Sequence, residues 1–152
     1  MVMEVFDIVV KELGALLGCE LKVDENHFCR IKLNEIEVQL EMDRSGENLM
    51  LITGLEGLPS GKNLENLLKA ALRENGNPPP LYGSFGYNGK KQKLILFSKL
   101  NMQELNGEKL YNHILPFTSK AKVWKDAIQR GDLPQSDASH SGGSSGLFGM
   151  IR

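Results

Sequence analysis

The chain has 152 residues, of which 41% are hydrophobic and 24% charged, and carries a net charge of −1. That length supports one domain with a core of its own, and the balanced charge argues against the basic surface that nucleic acid requires. Two cysteines, Cys19 and Cys29, are too few for a disulfide scaffold and read as reduced thiols of a cytoplasmic protein.

Val2 to Leu17 reads as a helix ending at Gly18. Glu4, Asp7 and Lys11 share one narrow polar stripe, while Val2, Val5, Phe6, Ile8, Val9, Val10, Leu13, Leu16 and Leu17 cover most of the rest. That is more apolar surface than packing on one sheet requires. Either the helix lies between two layers, or part of its arc faces a partner. The charged residues near Met1 and the lack of a basic leader region argue against a signal peptide, and no apolar run reaches the ~20 residues of a membrane span.

From Glu20 to Thr53 the period becomes two, which predicts an antiparallel meander with one wet face. Leu21 and Val23 alternate with charges. Cys29, Ile31 and Leu33 alternate with Arg30 and Lys32, and Ile36, Val38, Leu40 and Met42 alternate with Glu37, Gln39 and Glu41. Leu49 to Ile52 is apolar on both faces, as a central strand covered on both sides or as a strip for binding. Asn63 is a candidate N-cap for a helix striped by Leu64, Leu67, Leu68, Ala71 and Leu72 and stopped by Gly76. Pro78, Pro79 and Pro80 force an extended connection. Asn88-Gly89 predicts a hairpin between Tyr82–Tyr87 and Lys90–Phe97. A last helix begins near Gly107, and Pro116 is expected to kink or split it. Its apolar face is Phe117, Ala121, Trp124 and Ile128, with the single tryptophan as anchor. Residues 135–152 are Ser/Gly-rich and read as a disordered tail carrying a short apolar motif, Leu147, Phe148, Met150 and Ile151.

The order is therefore α, three or four strands, α, a hairpin, α: an α+β fold with a twisted antiparallel sheet of five to six strands, one domain over 1–134. Catalytic constellations do not assemble from these residues. His27, His113 and His140 stand in separate contexts without metal-ligand spacing. The loop ending at Gly61-Lys62 lacks a phosphate-binding motif, because Glu56 stands where glycine is needed and Asn63 replaces the hydroxyl. Glu37 and Glu41 read as a solvated face, and Lys120, Lys122 and Lys125 as the outside of the last helix. No enzyme activity, metal or cofactor is expected. Apolar surface in excess of one core points to a binding protein.

The apolar first helix ending at Leu17-Gly18, the strand Ile36-Glu37-Val38-Gln39-Leu40, the Leu64–Leu72 helix and the ending Phe117-x-x-x-Ala121-x-x-Trp124 occur in one order. In that order they resemble the class I chaperones of bacterial type III secretion, over about Val2 to Pro134. Leu100 through Leu110 and Gly131-Asp132-Leu133-Pro134 look closest to a chlamydial member that pairs with a second chaperone to hold the secretion gatekeeper protein. The resemblance implies a dimer, homodimeric or paired with a related chaperone, that works without ATP. It also implies a client, an effector or the gatekeeper, whose N-terminal segment is kept extended for the export machinery. Leu64, Leu67, Leu68, Ala71 and Leu72, with Leu94 and Leu96, are then expected at the dimer contact or in the core beneath it. Val5, Ile8, Phe28, Met50 and Ile52 are expected to meet the client. Phe28 shares a strand face with Arg30 and Lys32, either awaiting the client or packed on a neighbouring strand. An adaptor that grips a folded partner through the same surfaces is the alternative.

Overall fold

The computed structural model describes residues 2–134, with side chains from Val5 onward. Helix α1 (Val2–Leu17) is followed by β1 (Phe28–Leu33), β2 (Ile36–Met42), β3 (Asn48–Leu55), α2 (Gly61–Asn75), β4 (Ser84–Asn88), β5 (Lys93–Asn101), a short 3-10 turn and α3 (Gly107–Arg130). The five strands form one antiparallel sheet in the order β1-β2-β3-β5-β4. This is the expected α-βββ-α-ββ-α arrangement.

One face of the sheet is the core. Cys29, Ile31, Val38, Leu40, Leu49, Leu51, Leu94 and Leu96 are buried there, because successive strand side chains alternate between faces. Phe6, Val9, Val10 and Leu13 of α1 recur at i, i+3, i+4 and i+7 and are likewise buried, as are Leu110, Ile114, Phe117, Ala121, Trp124 and Ile128 of α3. Phe85 of β4 tilts against Trp124 with ring centroids 4.3 Å apart. The two helices close on each other at Gly107, where a Cβ would collide with Glu12. Its N–H donates to Glu12 Oε1 at 2.8 Å.

Several local expectations are corrected. Leu21 and Val23 belong to no strand; they lie in the connection before β1, half-buried against the core. Helix α2 begins at Gly61 with Ser60 as N-cap, so Asn63 lies inside it; the left-handed φ of 63° at Gly61 turns the chain into the helix earlier. Pro116 does not split α3. Its missing N–H removes one rung, yet the buried residues on either side keep both halves packed, and Thr118 Oγ1 donates to the carbonyls of Ile114 and Leu115. The β4–β5 hairpin is longer than a two-residue Asn-Gly turn, since Asn88 pairs with Lys93 and its side chain accepts from Lys91 N. The two-residue turn is instead Asn34-Glu35 between β1 and β2, both with positive φ. Lys122 and Lys125 of α3 hold Glu35 through its carboxylate and its carbonyl. The 135–152 tail, with its apolar motif, lies outside the described residues.

Candidate protein-binding surface

Helices α1 and α3 leave the other face of the sheet bare. The strand register sets its side chains in rows. Phe28, Glu41, Met50 and Lys99 form one, and Arg30, Gln39, Ile52, Phe97 and Ser84 the next. Lys32 stands opposite Glu37 beyond them. Met50, Ile52, Ile95 and Phe28 are half-buried by their neighbours alone, and Phe97 is 37% exposed. Strand β3 is therefore central but covered on one face only. The apolar strip at Met50 and Ile52 is left open, with charged β1 and β2 residues beside it.

The two edges of this sheet differ. Main-chain groups that do not face the neighbouring strand belong to every second residue. On β4 these are the groups of Phe85 and Tyr87, and Asn75 at the end of α2 meets both of Phe85's: its Oδ1 accepts from Phe85 N at 2.8 Å and its Nδ2 donates to Phe85 O at 2.9 Å. Lys120 fixes the lead-in to β4, donating to the carbonyls of Leu81 and Gly83 and pairing with Glu74 at 3.3 Å in a nearly buried bridge. On β1 the outward groups are those of Phe28, Arg30 and Lys32. Asp24 binds both of Phe28's, accepting from its N–H through Oδ1 and donating its own N–H to its carbonyl, each at 2.9 Å. Among the described residues, no protein group meets the outward N–H and C=O of Arg30 and Lys32.

Helix α1 adds a second apolar surface. Val5 is 43% and Ile8 56% exposed, and Leu16 stands open as well. Val5 also lines a groove of about 240 Å³ with Gly46, Glu47, Met102 and Gln103. The stripe on α2 divides: Leu67 and Ala71 are buried, Leu64 and Leu68 half-buried, and Leu72 is 69% exposed. Leu94 and Leu96 are fully enclosed. Of the residues assigned to dimer contact or the core beneath it, Leu67, Ala71, Leu94 and Leu96 are thus core. Only Leu64, Leu68 and Leu72 present surface, because a helix lying beside β4 buries one side of its stripe and turns the other outward.

A cleft of about 630 Å³ lies at the end of the sheet among Lys32, Glu35, Glu37, Glu56, Lys93 and Lys125. Within it Lys93 pairs with Glu56 at 3.7 Å. His113 sits half-buried between Ser98, at 2.7 Å from Nε2, and the edge of the Tyr82 ring. Burial pulls its pKa below the ordinary 6.5, opposed by a hydrogen bond with the Tyr82 backbone. Cys29 is buried and its thiol is pushed up to about 11, chiefly by desolvation, which keeps it protonated and unreactive. Among the described residues no three His, Cys, Asp or Glu side chains gather where a metal could sit, and no helix is long and apolar enough to cross a membrane.

The same architecture occurs in several solved complexes. One chain of the HopA1–SchA chaperone–effector complex superposes with a TM-score of 0.67 at 19% identity, covering 82% of this chain and 96% of that one. The Yersinia pestis type III secretion chaperone SycH, solved with a stable fragment of YscM2, gives 0.62 at 21% identity, over 76% and 96%. The ExoT–SpcS complex of Pseudomonas aeruginosa gives 0.61 at 15% identity, over 78% and 95%. No curated protein matches the chain. Residues 9–125 match the model of the Tir chaperone protein (CesT) family, and the chain belongs to that family.

Proposed function

We propose that this chain is an ATP-independent type III secretion chaperone of the bacterial cytoplasm, without enzyme activity. It holds the N-terminal segment of a secreted effector or gatekeeper protein extended and ready for the export machinery. The observation that carries this reading is the bare sheet face with its open β1 edge, where Arg30 and Lys32 offer main-chain groups that no protein group among the described residues meets. An extended segment joining β1 gains main-chain hydrogen bonds there and lays alternate side chains beside Phe28, Met50 and Ile52. A second stretch of the same client rests on Val5 and Ile8 of α1. Such a segment loses conformational entropy on ordering, so a long apolar track must offset the loss.

Two copies, or this chain and a related chaperone, join through Leu64, Leu68 and Leu72 of α2, over Leu67 and Ala71. The stretches Leu100–Leu110 and Gly131–Pro134 favour the gatekeeper as client and a related chaperone as partner. Co-expression with candidate secreted proteins from the same genome, followed by light scattering without ATP, tests the whole reading. A dimer carrying one client whose bound segment is protease-sensitive and lacks cooperative unfolding is expected. Capture of a folded, protease-resistant partner would favour an adaptor, and a monomer that captures nothing with any candidate or related chaperone would overturn the proposal.

A further inference from the structure

Resting on strand addition at β1 as proposed above, we propose that this edge selects acidic segments: a bound strand carries carboxylates at two alternate positions, opposite Arg30 and Lys32. On β1, the two residues that offer unoccupied main-chain groups both place cations on the bare face. Both side chains are exposed. Among the described residues neither forms an ion pair. Arg30 Nε reaches only the neutral Gln39 Oε1, at 3.4 Å. Glu37 stands across from Lys32 on β2 without pairing to it within 4.0 Å.

The open ladder is short, because Asp24 already holds the main chain of Phe28. Few backbone bonds remain, so the side chains opposite them decide between partners. In an antiparallel pair, residues directly opposite bring their Cβ atoms within about 5.5 Å on the same face, where opposite charges attract and like charges repel. The intervening residue of the incoming strand turns to the face of Cys29 and Ile31, both buried, and is best apolar. The pattern read by the edge is therefore acidic, apolar, acidic. The same cations exclude a second copy's β1, which would set Arg30 and Lys32 against each other. Charged edges of this kind commonly prevent sheet-to-sheet aggregation; here the guard doubles as a filter on what is admitted.

The test uses the full chain and two synthetic peptides, each alternating valine with either glutamate or lysine at the two outward positions. Peptide is titrated to millimolar concentration and followed by amide NMR. The glutamate peptide is expected to bind about tenfold more tightly than the lysine peptide at low salt, with the gap narrowing as salt rises. Hydrogen exchange should slow at the amides of Arg30 and Lys32. The double variant Arg30→Glu with Lys32→Glu should reverse the preference while leaving the fold intact. Equal binding of both peptides at β1 would overturn the charge filter and leave strand addition standing. Refusal of both peptides would overturn the filter and strand addition together, leaving only edge protection. Glutamate-peptide binding that protects other amides would place the acidic site elsewhere.

Discussion

Phe28 stands on the bare face of the sheet in one row with Glu41, Met50 and Lys99. Its ring lies on the strand face of Arg30 and Lys32, half-buried by its neighbours. Its main chain is fixed by Asp24, which accepts from its N–H and donates to its carbonyl. Phe28→Asp is expected to weaken capture of a co-expressed client by 30-fold or more, the scale of an aromatic anchor at an interface, while thermal melting stays unchanged. A collapsed melting transition would instead make Phe28 a core residue. His113 behaves differently, because its environment opposes charge. With its folded pKa lowered, its stabilising contribution is present above the ordinary 6.5 and declines as pH falls below that value, where the unfolded chain takes up the proton first. Replacing His113 by Gln should flatten the stability difference between pH 7.5 and 5.5 by no more than about 1.4 kcal/mol per pH unit, read from urea unfolding at each pH.

At the scale of elements, long periodic segments were legible and punctuation was not. Helices α1 and α3 and strands β1 and β2 follow directly from spacing, because a face that alternates or recurs every three to four residues can be buried in only one way. Asn63 is not the cap because Gly61, with its left-handed φ, and Ser60 before it already start the helix two residues earlier. Asn88-Gly89 does not form a two-residue turn because Asn88 stays in the ladder opposite Lys93. The Asn34-Glu35 turn lacked any glycine signal, and contacts from Lys122 and Lys125, far along the chain, hold Glu35. Asn75 is the element-scale residue no pattern could flag: it ends a helix and also caps the main chain of Phe85, ten positions later on the edge strand. Asn75→Ala should leave the N–H and C=O of Phe85 unmet, costing about 1–3 kcal/mol in urea unfolding and speeding exchange of the Phe85 amide.

For the whole molecule, the decisive property is asymmetry. One sheet face is closed by α1 and α3 and the other is open; on one edge Asn75 of α2 caps the main chain of Phe85, and on the other Arg30 and Lys32 stay available. Assembly belongs to this scale too. Leu72→Glu is expected to shift the light-scattering mass toward the monomer while changing fold stability by no more than about 0.5 kcal/mol, since Leu72 is 69% exposed and supports nothing beneath it. A dimer of unchanged mass would move the interface off this stripe. By itself the sequence determined the element order, the α+β class, the buried stripe of α3 and the odd position of Phe28, because these depend on periodicity within one segment. It could not separate core from surface within the α2 stripe, nor tell that β3 is covered on one face only. Those were decided by which elements lie side by side, and so was the contrast between the two edges. Burial and the fate of main-chain hydrogen bonds are settled by neighbours distant in sequence, and only the tertiary structure brings them together.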